Sequence, residues 1–319
     1  MMQDVLLTGA NGFVGRAVSR ALLARGDRVT GIVRQPGSAG EGARTWLSTG
    51  KDFVDVEQEW PADLRCDAVI HLAARVHTLK ETAADPMAAY RETNVAGTLR
   101  VARAARAAGS RRFVFVSSIK AIAERSDGQP LTEHTPAGPS DPYGISKLEA
   151  ERELCAYGAA SGMEIVIVRP PLVYGPGVRA NFFSLMNAIA RGVPLPLGAI
   201  EAQRSLVYVE TLADALIHCA TDPRAAGQTF HVTDGQDLSV SELARTLARH
   251  LHAPARLVRV PPAMLRLAGR LTGRSAQVER LVGELRVDSG RIRSVLGWSA
   301  PYTAEQGLRE TASWFRATH

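Results

Sequence analysis

The amino-acid sequence predicts an α/β fold, a doubly wound parallel sheet of Rossmann type with helices on both faces and a smaller C-terminal α/β lobe. The first observation is the start of the chain, where a short apolar β pattern at 4–8 leads through a glycine-rich turn into a helical pattern. The second is the recurrence of apolar, β-rich segments between helical patterns, which is typical of βαβ units. These segments are 29–33, 67–72, 113–116 and 163–169.

The turn after the first strand carries three glycines, Gly9, Gly12 and Gly15. Strand, glycine turn, helix and second strand together form the context that a dinucleotide-binding fingerprint requires. Gly9 permits the tight turn, Gly12 lets backbone N–H groups approach a pyrophosphate, and Gly15 lets helix and strand pack closely. The spacing is G-x-x-G-x-x-G rather than G-x-G-x-x-G, so a glycine-rich turn without a cofactor is the alternative.

A second candidate site contains Tyr143 and Lys147, at the start of a helical pattern. Residues four apart share one face of a helix, so both side chains point into the same space. A nearby ammonium favours the phenolate, and we therefore expect the pKa of Tyr143 to lie below its usual value of ~10. The pair is a candidate general acid/base. Ser118 follows the strand at 113–116, and its hydroxyl could bond a substrate oxygen beside Tyr143, or merely end the strand.

Composition restricts the class of protein. The 319 residues suffice for about two domains, which we place at 1–169 and 170–319, with some segments of the second returning to the first. A net charge of +6 comes without a Lys/Arg block or aromatic–basic interleaving, so we expect no nucleic-acid partner. The three cysteines lack metal-ligand spacing, and no apolar run approaches the ~20 residues of a membrane helix. We therefore expect no metal, no membrane partner and a cytoplasmic location.

The order of these motifs resembles the extended short-chain dehydrogenase/reductases, the NAD-dependent epimerase/dehydratase family of nucleotide-sugar enzymes. The similarity covers nearly the whole chain. The segments that carry it are 8–15, 69–74, 94–98, 117–118, 143–147, 169–177, 204–209 and 296–298. The resemblance implies that Tyr143 is the catalytic acid/base, that Lys147 tunes it and holds the nicotinamide ribose, and that Ser118 binds the reacting oxygen.

The resemblance also implies a set of cofactor-binding residues. Its members are Gly9, Asn11, Gly12, Phe13, Val14, Gly15, Arg34, Asp55, Val56, Leu72, Ala73, Ala74, Asn94, Tyr143, Lys147 and Pro170. Asp55 resembles an Asp that faces the adenine, at the end of a short third strand (53–55) after a loop (35–52). His71, in the same region, is expected to be structural rather than catalytic.

The end of the second strand bears on the choice of cofactor. NAD-specific relatives place an acidic residue there, which bonds the ribose hydroxyls. This chain has Val33 followed by Arg34. An Arg can pair bidentately with a 2′-phosphate, so the sequence favours NADP(H), with NAD(H) possible. The alternative is that Arg34 is a solvated surface residue.

Four residues are candidates for substrate binding: Lys120, Asn181, Arg204 and Arg280. By resemblance, Arg204 clamps the diphosphate of a nucleotide sugar, an Asn near 181 meets the same group, and Arg280 contacts the nucleotide. Ile119 and Lys120 stand where sugar 4,6-dehydratases carry an Asp-Glu pair. An apolar side chain and an ammonium cannot perform that acid/base work, which argues against a dehydratase.

Two reactions at C4 of a nucleotide-activated sugar, expected to carry UDP, remain. Arg34 and the lost acidic residue at Val33 favour a 4-keto-6-deoxy-hexosamine reductase for surface-polysaccharide sugars. The matches at Arg204 and 173–176 favour the alternative, a UDP-hexose or UDP-N-acetylhexosamine 4-epimerase. A non-catalytic NADP-binding regulator is the remote alternative, because such relatives usually lack the Tyr, the Lys or the hydroxyl.

The resemblance further implies a homodimer. Relatives pack two long helices from each subunit into a four-helix bundle, and the corresponding segments here are 85–108 and 143–160. Ala102, Ala105 and Ala108 would permit close helix approach, although these alanines could instead pack on the sheet.

Overall fold

The computed structural model describes residues 2–76 and 85–319. A parallel sheet of seven strands forms its centre, in the order β3-β2-β1-β4-β5-β6-β9. These strands are β1 (Asp4–Thr8), β2 (Arg28–Val33), β3 (Arg44–Leu47), β4 (Ala68–His71), β5 (Arg112–Val116), β6 (Glu164–Arg169) and β9 (Thr229–His231). A second sheet contains β7 (Leu172–Tyr174), β8 (Gln203–Tyr208) and β10 (Asp237–Ser239). The predicted Rossmann-type α/β fold is confirmed.

Eleven α-helices occur in the described part of the chain. They are α1 (Phe13–Ala24), α2 (Pro86–Arg91), α3 (Gly97–Ala107), α4 (Pro142–Ser161), α5 (Ala180–Ala190), α6 (Val209–Thr221), α7 (Val240–His250), α8 (Pro262–Leu271), α9 (Ser275–Val282), α10 (Gly290–Leu296) and α11 (Ala304–Thr318). Between α2 and α3 the chain forms a π-helical turn, Glu92–Ala96, so the predicted helix 85–108 runs on but is wound more loosely at its middle. Such turns are frequent at functional sites.

Alternation along the strands divides the core into two layers. Leu7 and Val114 belong to the apolar cluster that contains the buried faces of α1 and α6. Leu6 and Phe113, one residue earlier in each strand, belong to the cluster under α3 and α4. Successive strand side chains point to opposite faces, so an unbroken apolar run is what a strand covered on both faces requires.

The large sheet takes its last strand from the C-terminal half of the chain. β9 pairs with β6, and α6 packs against α1, whereas β7, β8 and β10 form the smaller sheet. We propose that the domain boundary lies near residue 169, with β9 and α6 as the segments that return to the first domain.

The predicted third strand was misplaced. Residues 53–55 do not form a strand, and β3 lies within the segment 35–52 that was expected to be a loop. Only one of the four β3 side chains is buried, that of Trp46, whose ring packs edge-on against Trp60 at 5.0 Å between centroids. A short edge strand with a single buried residue has no readable alternation, which explains the error.

Candidate active site

A cavity of about 470 Å³ lies at the carboxyl ends of β1, β2 and β4. In a doubly wound sheet this edge is where ligands bind. Its walls include seven residues of the predicted cofactor set: Gly9, Asn11, Gly12, Arg34, Leu72, Ala73 and Ala74. Of the remaining members, Phe13, Val14 and Gly15 form the first turn of α1. Pro170 follows β6, and its carbonyl accepts a hydrogen bond from Ile119 N at 3.0 Å.

The glycine turn has the geometry of a phosphate cradle. Gly9 has φ +68°, a left-handed conformation that favours glycine. A Cβ on Gly15 would lie 2.1 Å from the carbonyl oxygen of Gly9, so no side chain fits there. The N-terminus of α1 at Gly12 has no side-chain cap, which leaves backbone N–H groups for an anionic ligand. The residues present therefore fit the pyrophosphate of a dinucleotide.

Two members of the predicted cofactor set, Asp55 and Val56, are not among the residues that line the cavity. Asp55 does not line the cavity, because its carboxylate accepts hydrogen bonds from Ser48 Oγ and Gly50 N, both at 2.8 Å, and so closes the loop after β3. Val56 is fully buried in the core under α3. The cavity is lined instead by Asp52 and Phe53, which the sequence interpretation missed.

Asp52 and Phe53 are both held in unusual backbone geometry. Their φ angles are 53° and 62°, a region that non-glycine residues rarely occupy. Asp52 Oδ1 accepts a hydrogen bond from Thr93 Oγ1 at 2.6 Å, and its carbonyl accepts one from Arg100 Nη1 at 2.9 Å. Consecutive strained residues on a cavity wall are a signature of function. Their sequence signal is an Asp followed by an apolar residue, Asp52-Phe53. This pair lies three positions before Asp55-Val56, which the sequence analysis chose for the same role.

Asn94 connects the cavity to the candidate acid/base helix. This fully buried residue accepts from Arg75 N at 2.8 Å and donates to Ser146 Oγ at 2.9 Å. Arg75 lines the cavity, and Ser146 lies on α4 between Tyr143 and Lys147. Asn94 thus lies in the π-helical turn and ties two parts of the site together.

Tyr143 and Lys147 lie in the first two turns of α4, as the sequence pattern predicted. Asp141 caps this helix by accepting from Gly144 N at 2.7 Å, and Pro142 occupies its first position, where no N–H is needed. Ser118 follows β5, and its hydroxyl lies close enough to the Tyr143 phenol to lower the pKa of that group. The three predicted catalytic side chains therefore come from β5 and α4 to one place.

Burial controls the ionisation of Tyr143 and Lys147. Lys147 is 1% exposed, and its Nζ lies 4.1 Å from the centroid of the Phe115 ring. Loss of water lowers the pKa of Lys147 to about 7, although Glu151 opposes that change. Burial also raises the pKa of Tyr143 to about 12, against the hydrogen bond from Ser118. The expected lowering of the Tyr143 pKa by Lys147 is therefore not seen, because desolvation of the phenolate has the largest influence on this pKa.

A buried carboxylate, Glu151, connects the elements that carry the candidate residues. Ser117 Oγ donates to Glu151 Oε1, and Arg169 reaches both carboxylate oxygens, at 2.9 and 2.6 Å. Ser117 precedes Ser118, and Glu151 lies one helical turn after Lys147. One carboxylate thus joins the ends of β5 and β6 to α4.

Three of the four substrate-binding candidates lie in one charged cluster. Lys120 Nζ pairs with Asp141 and, at 3.2 Å, with Glu124. Arg280 reaches Glu124 at 3.5 Å. Arg204 Nη1 donates to the carbonyl oxygens of Arg280 and Gly283, at 2.6 and 2.7 Å, and so caps the C-terminal end of α9. Asn181 lies apart in the first turn of α5 and is exposed.

The described residues contain neither a metal-binding cluster nor a membrane-spanning helix. Within residues 2–76 and 85–319, no group of three or more His, Cys, Asp or Glu side chains could hold a metal ion. No helix in the same ranges is long and apolar enough to cross a membrane.

Residues 5–233 match the model of the NAD dependent epimerase/dehydratase family. This match covers more than half of the chain and includes the glycine turn, the cavity and the Tyr143–Lys147 pair. The chain belongs to this family. The family resemblance predicted from the sequence is therefore confirmed.

Individual members of the NAD dependent epimerase/dehydratase family resemble the chain over its full length. It is 40% identical to a UDP-glucose 4-epimerase of Vibrio cholerae, over 99% of this chain and 96% of that protein. It is 28% identical to a GDP-6-deoxy-D-mannose reductase of Pseudomonas aeruginosa, over 98% and 97%. The structure superposes on a Thermus thermophilus UDP-glucose 4-epimerase complex with NAD at a TM-score of 0.79, with 22% identity over 99% and 100% of the two chains. At 22% identity, the likeness to the Thermus thermophilus structure shows the fold alone.

Proposed function

We propose that this protein is a nucleotide-sugar 4-epimerase that interconverts the C4 epimers of a UDP-hexose or UDP-N-acetylhexosamine. The observation that carries the proposal is the convergence of Ser118, Tyr143 and Lys147, beside a cavity that fits a dinucleotide. The 40% identity to a UDP-glucose 4-epimerase along the whole chain supports epimerisation. This proposal reverses the order of the two reactions that the sequence alone favoured.

Each side chain has a defined task in this proposal. Bound NAD supplies the acceptor for the hydride that leaves C4. Tyr143, as phenolate, takes the proton of the C4 hydroxyl, and it returns that proton when the 4-keto sugar is reduced on its other face. Ser118 donates a hydrogen bond to the same sugar oxygen. Lys147, as an ammonium, stabilises the phenolate, so the Tyr143 pKa must fall on assembly of the loaded site for activity at neutral pH.

The second part of the proposal concerns the negative charge of the substrate. The diphosphate of a nucleotide sugar is an anion, and Lys120, Arg204 and Arg280 bring three cations to one cluster. Two acidic residues, Glu124 and Asp141, neutralise Lys120 and Arg280 in the unliganded protein. We infer that a bound diphosphate replaces part of these pairs. Arg204 then acts from a fixed position, because the backbone carbonyls at the end of α9 hold its guanidinium.

A second function, reduction of a 4-keto sugar with NADPH, is favoured by one observation. Arg34 lines the cavity at the end of β2, is exposed, and has no ion-pair partner among the described residues. Its guanidinium is therefore free to bind a 2′-phosphate. Arg34 thus makes NADP(H) the preferred cofactor for a reductase, whereas an epimerase would retain NAD.

One pair of assays separates the two functions. The purified protein is given UDP-glucose or UDP-N-acetylglucosamine with NAD, and the C4 epimers are measured. In parallel, it is given a UDP-4-keto-6-deoxy-N-acetylhexosamine with NADPH or NADH, and loss of absorbance is followed. Epimer formation without net cofactor turnover supports the epimerase. Stoichiometric NADPH consumption without epimer formation establishes the reductase and makes Arg34 the phosphate-binding residue.

Tyr143→Phe tests the acid/base assignment. Loss of a positioned general acid/base should lower kcat by about 10²–10⁴-fold in whichever assay is active, with little change in thermal stability. Tyr157→Phe, in the half-buried part of the same helix, is the matched control and should retain activity. If Tyr143→Phe keeps full activity, the acid/base assignment is wrong. If wild type is inactive in both assays but binds NADPH, the non-catalytic regulator becomes the better explanation.

A further inference from the structure

The segment 243–278 is the most basic part of the chain. It contains seven arginines and no Asp or Glu. The whole protein has a net charge of +6, so the positive charge of this segment exceeds that of the entire chain. The segment includes most of α7, all of α8 and the start of α9. Two of the seven, Arg249 and Arg266, pair with Glu305 and Glu279 outside the segment, and the other five form no ion pair in the described part of the chain.

Helix α8 presents an unpartnered apolar stripe to solvent. Met264, Leu267 and Leu271 are 60%, 57% and 80% exposed. A single exposed apolar residue is common on a protein surface, but a group of them indicates an interaction site. Their spacing of i, i+3 and i+7 places them on one face of the helix. The opposite face is the packed one, since Leu265 joins the core and a Cβ on Gly269 would lie 2.8 Å from Val278 of α9.

Arginines flank this stripe without being neutralised. Arg270 follows Leu267 by three residues on the helix surface, and Arg274 lies just beyond the end of α8. Both are exposed, as is Arg259 before the helix, and none of the three has an acidic partner in the described part of the chain. Arg266 differs, because it pairs with Glu279 at 3.0 Å. The face thus combines an apolar centre with unpaired positive charge.

We propose that the outer face of α8 docks on an anionic lipid bilayer, with Met264, Leu267 and Leu271 in the headgroup–acyl boundary and Arg259, Arg270 and Arg274 on lipid phosphates. An amphipathic helix with Leu and Met on one face and Arg at its edge lies in a membrane interface. The ten residues of α8 span about 15 Å, too short to cross a bilayer. The sequence-based expectation of no membrane partner rested on the lack of a spanning helix, and surface docking needs none.

Charge and composition together favour lipid over other anionic partners. Nucleic-acid binders that combine basic and apolar groups usually stack bases on aromatic rings. The segment 243–278 contains no Phe, Tyr or Trp. A second copy of this chain would bring the same positive face against itself, which like-charge repulsion disfavours. The bilayer is the partner that accepts aliphatic side chains and arginines at once.

The docking surface is continuous with the candidate substrate site through α9. Helix α8 packs on α9, and the C-terminal carbonyls of α9 accept the hydrogen bonds of Arg204. Docking would therefore hold the substrate lobe close to the bilayer. The inference does not rest on the proposed reaction, because it concerns a surface that the reaction does not use.

Co-sedimentation with vesicles tests the proposal on the full-length protein. Vesicles of phosphatidylethanolamine with phosphatidylglycerol are compared with vesicles of pure phosphatidylcholine. We expect binding to the first at low ionic strength, weakening as salt is added, and little binding to the second. Each arginine near the surface contributes about a fivefold factor in affinity, so Arg270→Gln with Arg274→Gln should weaken binding about thirtyfold.

Two further variant proteins separate the specific surface from overall charge. Arg293→Gln with Arg316→Gln removes the same charge from exposed positions elsewhere, outside the proposed dimer interface, and should bind vesicles as wild type does. Leu267→Gln with Leu271→Gln removes the apolar stripe and should weaken binding at every salt concentration. Enzymatic activity in solution serves as the folding control, since none of these residues belongs to the candidate site.

Four results would overturn the proposal. The first is no sedimentation with anionic vesicles at low salt. The second is equal binding to phosphatidylcholine. The third is equal weakening of vesicle binding by the α8 pair and by the Arg293 and Arg316 pair, which would show a nonspecific effect of net charge. The fourth is a concentration-dependent dimer that Leu267→Gln with Leu271→Gln abolishes, without lipid binding, which would make a second copy the occupant.

Discussion

At the scale of single residues, the candidate site places a buried base, Lys147, one helical turn after a half-buried acid, Tyr143. Lys147 and Tyr143 are both driven towards their neutral forms by desolvation, with pKa values of about 7 and about 12. His71, at the end of β4, shows the same effect, since burial lowers its pKa to about 3 while Thr8 and Thr98 hydrogen-bond its ring. That neutral, bonded ring supports a structural role for His71. The proposed mechanism requires the charged form of Lys147, which burial makes costly.

Lys147→Met should therefore stabilise the protein while it abolishes activity. The Lys147 pKa is lowered from 10.5 to about 7 in the folded state, so the unfolded state binds more protons between these values. Stability then rises with pH across that window, and at pH 7 the cost of burying the group is at most about 5 kcal/mol. Urea unfolding at pH 7 should show Lys147→Met more stable than wild type, with the difference narrowing towards pH 10.

The control for that experiment is Lys51→Met, at an exposed lysine on the cavity wall. It should leave the free energy of unfolding within about 0.5 kcal/mol of wild type at every pH. A Lys147→Met protein that is less stable than wild type at pH 7 would contradict the assignment of a costly buried ammonium. In that case packing or hydrogen bonding of Lys147 would outweigh its desolvation.

At the scale of elements, Glu151 is what joins strands and helix at the site. It lies on α4 four residues after Lys147, it accepts from Ser117 at the end of β5, and it pairs with Arg169 at the end of β6. Its carboxylate also raises the pKa of Lys147 against burial. We therefore propose that Glu151 is a positioning residue, which acts on the reaction through its neighbours.

Glu151→Gln tests this role through a pH profile. Loss of the carboxylate should lower the Lys147 pKa further, so less ammonium is present at pH 7 and the fall of kcat/KM that accompanies Lys147 deprotonation shifts to lower pH. The variant also leaves Arg169 buried without its counter-charge, which should cost about 3–5 kcal/mol of stability. Measurements of kcat/KM across pH 5 to 9, with thermal unfolding of the same protein, check both effects.

Two milder variants keep this test informative if Glu151→Gln folds poorly. Ser117→Ala removes one hydrogen bond to the carboxylate and leaves the charge in place, so it should not move the pH profile. Glu149→Gln, on the same helix, breaks only the exposed pair with Arg91 and should change stability by less than about 1 kcal/mol. An unchanged pH profile in a folded Glu151→Gln protein would show that Glu151 serves the fold alone.

At the scale of the whole molecule, the predicted dimer interface needs revision. Ala102 and Ala105 of α3 are fully buried under the large sheet, so they cannot also contact a second subunit. For Ala102 and Ala105 the structure supports the alternative interpretation, that these alanines pack on the sheet. The outward face of α3 carries Arg103 instead, and the exposed pair Arg91 and Glu149 joins α2 to α4.

We still propose a homodimer through α2, α3 and α4, now with a polar interface. Sedimentation velocity at micromolar concentration should give the mass of two chains of 34.2 kDa. Because the revised interface contains charged groups, Arg103→Glu should weaken it, whereas Arg316→Glu on α11 should not. A monomeric mass over the whole concentration range would remove the proposal. A dimer that is sensitive only to α8 variants would place the interface elsewhere.

The sequence by itself determined the elements whose signal is local. The turn from Gly9 to Gly15 and the pair Tyr143 and Lys147 depend on short-range sterics and helical spacing. The structure has both, with Gly9 and Gly12 on the cavity wall and Tyr143 and Lys147 in the first two turns of α4. The recurrence of apolar strand segments between helical patterns likewise predicted the parallel sheet. Such features are encoded within a few residues, so no knowledge of the rest of the chain was needed.

The tertiary structure alone decided the features that depend on distant partners. Asp52 and Phe53 line the cavity, and the sequence did not indicate them, because a short edge strand such as β3 has no readable alternation from which to place the residues that follow it. The high Tyr143 pKa results from desolvation, which follows from burial by many elements and not from the neighbouring Lys. The outer face of α8 became visible as a surface only when its inner face was packed on α9. Burial is a property of the assembled fold, and it decides both the charge of a site and which apolar side chains are left for a partner.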